Sequence, residues 1–79
     1  MVTLSKIFKE QFNRVLNLEE IDILKVGSFP EWDSLSHFSF LVLIEETYNI
    51  NFSVEEMSEL KSLIAIIDTL KSKGIEIEI

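Results

Sequence analysis

The residues best suited to chemistry lie in one stretch, Trp32-Asp33-Ser34-Leu35, with His37 three positions after the serine. An aspartate just ahead of an apolar, helix-periodic segment reads as an N-cap, its carboxylate accepting from the free amides of the first turn. Ser34 then falls in that turn, with its hydroxyl exposed beside backbone amides that have no intrahelical acceptor. Those amides and the helix dipole favour an anion there, so a phosphodiester on Ser34 is electrostatically welcome. Asp33 beside it offers the hard oxygen ligands that suit magnesium during transfer of a phosphorylated group. Taken alone, the tripeptide also reads as an ordinary cap before an ordinary helix.

His37 stands one helical turn from Ser34, close enough for a serine–histidine contact. Nucleophilic catalysis further requires a group to orient the imidazole and an oxyanion hole. The chain has no G-x-S-x-G elbow and little room for a substrate cleft. No catalytic residue is assigned, and His37 is expected to be a half-buried structural residue or to lie beside whatever Ser34 carries. Glu55, Glu56 and Glu59 follow no aspartate-rich loop, so a solvated acidic face is expected and no metal site. With no cysteine, disulfides, zinc clusters and thiol catalysis are excluded, which fits a reducing cytoplasm.

Seventy-nine residues support a single core. Hydrophobic residues make up 47%, ample for packing, and two Gly and one Pro argue for helices over a turn-rich sandwich. Fourteen acidic residues face seven basic ones, a net charge of −7. Without clustered Lys and Arg, nucleic acid is not a partner. Acidity keeps a small protein soluble and also favours association with basic protein patches. The longest apolar run, Phe40 to Ile44, is far short of the about 20 residues that span a bilayer, so no membrane insertion is expected. The N-terminus lacks a basic segment followed by an apolar one, so no signal peptide is expected.

Four helices must position these residues. Leu4, Ile7, Phe8, Phe12, Val15 and Leu16 form one stripe of a helix over about 4–16, with Thr3 as N-cap. Residues 17–33 are broken by Gly27, Ser28 and Pro30, yet carry Leu18, Ile21, Ile23, Leu24, Val26, Phe29 and Trp32. So apolar a loop is expected to lie on the core. The second helix runs from Asp33 to about Tyr48, with Asn49 suited to a left-handed end. His37, Phe40, Leu41, Ile44 and Tyr48 share its buried face, leaving Leu35, Val42 and Leu43 at least partly exposed as a contact surface. Ser53-Val-Glu-Glu56 is a capping box that opens a short third helix to about Leu60. Ser62 caps a last helix bearing Leu63, Ile66, Ile67 and Leu70, which Gly74 stops. The expected fold is an all-α four-helix bundle, with three principal helices, one short one and a long packed first loop. Residues 1–74 form the domain and 75–79 a frayed tail.

From about Leu4 to Leu70 the chain resembles the acyl and peptidyl carrier protein family, in which Asp-Ser-Leu opens the second helix and the serine receives 4′-phosphopantetheine. The resemblance rests on Asp33-Ser34-Leu35, the long first loop, the helix ending Leu43-Ile-Glu-Glu-Thr-Tyr48 and the turn Asn49-Ile-Asn-Phe-Ser53. It extends to the short acidic third helix and the apolar stripe of the fourth. It implies a non-catalytic, monomeric, cytoplasmic phosphoprotein, with the arm derived from coenzyme A and attached to Ser34 by a phosphopantetheinyl transferase. Acyl cargo would be held as a thioester and presented to a loading ligase and to a downstream transferase or synthase. The implied docking residues are Leu35, Ser36, Ser39, Val42, Leu43, Glu45 and Glu46. The implied core or cargo pocket comprises Phe40, Leu41, Ile44, Phe52, Leu63 and Ile67. Carriers of fatty acid synthesis usually have acidic residues two and five positions after the serine, where this chain has Ser36 and Ser39. Phe38, Phe40 and Phe52 replace smaller aliphatics, and Trp32 precedes the motif. A specialised carrier, in lipid or secondary metabolite biosynthesis, is therefore expected rather than a housekeeping one. The alternatives are an aminoacyl or peptidyl carrier of the same fold and an unmodified helical interaction module. Ser34 separates the last from the others.

Overall fold

Each helix is opened by a short polar side chain that accepts from the first turn. The computed structural model describes residues 3–79, and among these α1 (Leu4–Phe12), α2 (Ser34–Tyr48), α3 (Val54–Glu59) and α4 (Leu63–Ser72) form an all-α bundle. Thr3 accepts from the Lys6 amide, Asp33 from Ser36, Ser53 from Glu56 and Ser62 from Ala65. At Ser53 the capping box is complete, since Glu56 returns its carboxylate to the Ser53 amide at 2.8 Å.

α1 stops earlier than its apolar stripe suggests. Asn13 turns left-handed at φ 54 and donates its amide to the Lys9 carbonyl, which closes the helix at Phe12 rather than near residue 16. Val15, expected on the buried stripe, is 77% exposed, whereas Leu16 reaches the core from the non-helical chain beyond. Arg14 lies over the Phe29 ring and pairs with Glu31, holding this corner together.

The first loop carries a short 3₁₀ turn, Leu18–Glu20, and packs as a further layer of the core. Leu24 and Trp32 are buried and Ile21, Val26 and Phe29 partly so, while Leu18 and Ile23 face solvent instead of the core. A two-sided backbone tie fixes the loop to the α3–α4 junction: Val26 donates to the Lys61 carbonyl at 2.9 Å and Leu63 to the Leu24 carbonyl at 3.0 Å. Between them Lys25 and Ser62 form an isolated antiparallel bridge. Gly27 makes the return at φ 90, a conformation that strains residues with a Cβ, and donates to the Trp32 carbonyl.

Inside, Phe8, Phe12, Phe29, Trp32 and Phe40 interlock with ring centroids 5.0–6.1 Å apart. Most of these contacts are tilted or edge-on, as aromatic quadrupoles prefer. Leu41, Ile44, Phe52, Leu63 and Ile67 are buried with them, as are Leu4, Ile7, Leu60, Ile66 and Leu70.

Residues 75–79, expected to fray, lie instead along the start of α1. Leu4 donates its amide to the Glu78 carbonyl at 2.9 Å and Ser5 its hydroxyl to that of Ile79 at 2.9 Å. The first amides of a helix lack acceptors of their own, and this extended segment supplies one while Ile75 and Ile77 pack on the core. Val42 and Leu43, expected to be at least partly exposed, are half-buried, with Leu43 packed against the core.

Ile44 and Ile67 are almost inaccessible to solvent. Substituting either by Ala should cost about 2–5 kcal/mol, a large share of a small domain's stability. Thermal melts with an unchanged midpoint for both variants would contradict this account of the core.

Candidate functional site

Asp33 Oδ1 accepts from the Ser36 amide at 2.8 Å, which makes Ser34 the first residue of α2 and leaves it exposed. That amide, then the Ser36 hydroxyl, holds the Asp33 carboxyl below its ordinary value of 3.8. Asp33 is thus ionised beside Ser34 at neutral pH.

The wall behind Ser34 is built by Trp32 and His37. Trp32 is wholly buried, and its indole Nε1–H donates to His37 Nδ1 at 2.9 Å. With Nδ1 accepting, the ring proton sits on Nε2, which donates to the Leu60 carbonyl. Both ring nitrogens are therefore occupied, and neither is left to act as a base toward Ser34. His37 is more enclosed than the half-buried position expected for it, at 7% exposure.

Ser34 opens onto a cleft of about 590 Å³ lined also by Lys25, Val26, His37, Met57, Ser58 and Lys61. Loop, α2 and α3 all contribute. Neither lysine pairs with a carboxylate among the described residues, where the ion pairs are Arg14–Glu31 and Lys73–Glu56. Sequence reasoning missed both lysines, because only the tie between residues 24–26 and 61–63 brings them together. It also missed the Trp32–His37 bond, for which the spacing across the N-cap was the available signal.

The expected docking residues differ in their surroundings. Ser39, Val42, Leu43 and Glu46 line a second, shallower groove of about 420 Å³ with Gln11 and Phe38. Leu35 stands apart from that groove, exposed at 78%, and Ser36 is half-buried against the cap. Glu45 is turned inward, its Oε2 accepting from the Phe52 amide at 2.7 Å, so it braces the turn after α2 instead of facing a partner. Phe40, Leu41, Ile44, Phe52, Leu63 and Ile67 are all buried. Among the described residues no His, Asp or Glu are grouped in threes to hold a metal ion, and no helix is long and apolar enough to cross a membrane. No family model, curated protein or solved structure matches the chain.

Burial holds His37 below its ordinary 6.5, with the Leu60 carbonyl pulling weakly the other way. The unfolded chain thus takes up a proton that the folded chain resists. Stability is full above the unfolded value and falls as pH drops through the folded one. The melting midpoint should decline as pH falls below the ordinary His value of 6.5, and His37→Gln should flatten that slope while lowering stability by about 1–3 kcal/mol, since Trp32 loses its acceptor. Asp33 and Glu56, both held low, contribute a separate loss at more acid pH. A wild-type midpoint that is level across the upper window would refute the neutral, doubly bonded imidazole.

Proposed function

We propose that the chain is a carrier protein bearing a 4′-phosphopantetheine arm on Ser34. The observation that carries this reading is an exposed serine hydroxyl at the first position of a capped helix, opening onto a cleft and backed by a rigid wall. Ser34 Oγ attacks the pyrophosphate of coenzyme A at the phosphorus bearing the pantetheine. The P–O–P bond breaks, adenosine 3′,5′-bisphosphate leaves with the electron pair, and the hydroxyl proton passes to solvent. The dipole of the 15-residue α2 favours the resulting anion at its start, although Asp33 already takes the Ser36 amide. Ionised Asp33 suits the magnesium that such a transfer requires. The bound arm supplies a thiol that holds acyl groups as thioesters, and this chain's residues only position it. A phosphopantetheinyl transferase, a loading ligase and a downstream transferase or synthase are the partners this role requires.

Co-expression with a phosphopantetheinyl transferase should add one phosphopantetheine to the intact mass, with the modified peptide containing Ser34. Ser34→Ala should abolish the gain and leave the melting curve in place. Modification that persists in this variant sinks the assignment.

Partner docking should be more apolar than ionic. Phe38 is 53% exposed beside the groove and Leu35 more so, while the neighbouring Ser36 and Ser39 carry no charge. Removing apolar contact loses about 25 cal/mol per Å², whereas rim charges mainly alter on-rate and salt dependence. Phe38→Ala should lower kcat/KM for loading of the holo protein by its ligase about tenfold, and Glu46→Gln by less than about twofold. Rates should depend weakly on ionic strength. A steep fall with salt, together with wild-type rates for Phe38→Ala, would show that charge steers docking.

A further inference from the structure

We infer that the cleft beside Ser34 receives the carrier's own cargo and selects acyl groups that end in a carboxylate, held by Lys25 and Lys61. This rests on the carrier reading and names the cargo class for the same site.

The chain has fourteen acidic and seven basic residues, yet no carboxylate lines this cleft and two of its lining side chains are lysines. The third titratable group there, His37, is neutral with both ring nitrogens engaged. The placement of the lysines is not incidental. Lys25 lies in the bridge to Ser62, and the Lys61 carbonyl accepts from the Val26 amide, so the backbone tie brings both lysines to the lining of one cleft. Two cations in one cleft lining, with no carboxylate among them, attract an anion that enters it. Val26 and Met57, both half-buried, offer apolar surface to a short methylene chain. A cleft of about 590 Å³ lies in the range that takes a whole small ligand, more than a phosphate alone fills. The phosphodiester of the arm is bonded to Ser34 itself, where the first-turn amides already meet it. The lysines are left for an anion carried at the far end. The same pair of cations disfavours an aminoacyl group, whose ammonium it repels.

The test uses a permissive transferase to install succinyl- or butyryl-phosphopantetheine on the apo protein from the matching coenzyme A thioesters, with intact mass confirming each product. The two cargoes have equal carbon number and differ in the terminal carboxylate. In amide NMR spectra the succinyl form should shift Val26, Met57 and Lys61 more than either the butyryl form or the unloaded holo protein. Hydrolysis of the succinyl thioester should be about threefold slower on the wild type than on a Lys25→Gln, Lys61→Gln double variant, consistent with two exposed ion pairs. The difference should fade as salt is raised. Butyryl hydrolysis should be the same on both proteins. Equal shifts for the two cargoes, shifts at the lysines already complete in unloaded holo protein, or unchanged succinyl hydrolysis in the double variant overturns the inference while leaving the carrier reading intact. Absence of any mass gain on Ser34 overturns both.

Discussion

The hydrogen bond from Trp32 Nε1 to His37 Nδ1 is the constraint on which the site depends. Trp32 sits at the centre of the aromatic cluster with no access to water, so its N–H must find an acceptor inside the protein or cost the full desolvation of that group. The only way His37 can accept is as the neutral tautomer, and its remaining N–H must in turn find the Leu60 carbonyl. One chain of donors and acceptors thus joins the end of the first loop, the first turn of α2 and the residue that closes α3. Asp33 and Ser34 lie in sequence between its first two members. Wherever the tryptophan and histidine settle, the capped serine is carried with them to the surface.

Local charge runs against global charge in this molecule. The net charge is −7, yet the cleft that Ser34 opens onto is lined by two lysines and no carboxylate, because two backbone segments far apart in sequence are tied there. The exposed apolar groups, Leu35 and Phe38, lie on the same helix as the serine but outside that cleft. The exposed apolar groups of this helix and the cleft with its two lysines are thereby distinct surfaces.

Features set by chemistry within four or five residues were legible in the sequence. Asp33 and Asn49 bound α2 because a cap and a left-handed stop act locally, and the Ser53–Glu56 box did the same for α3. The end of α1 was misjudged because Val15 and Leu16 continue the helical period by coincidence after Asn13 has already turned the chain. The final residues were misjudged for another reason. Ile75 and Ile77 pack on the core and the last carbonyls accept from the start of α1, and an alternating tail says nothing about what arrives from elsewhere. Glu45 was legible as an acid but not as a brace, since its acceptor role depends on how the turn to Phe52 folds back.

The tie between residues 24–26 and 61–63 bears on how the molecule breathes. Loops ordinarily exchange their amide hydrogens quickly because nothing but water holds them. Here the Val26 and Leu63 amides are locked into carbonyls of opposite segments, and the Gly27 amide is held by Trp32. Their exchange with deuterium is governed by opening of the core itself, since neither segment can part without dislodging Trp32 or the start of α4. These three amides should therefore exchange more slowly than those of an ordinary loop.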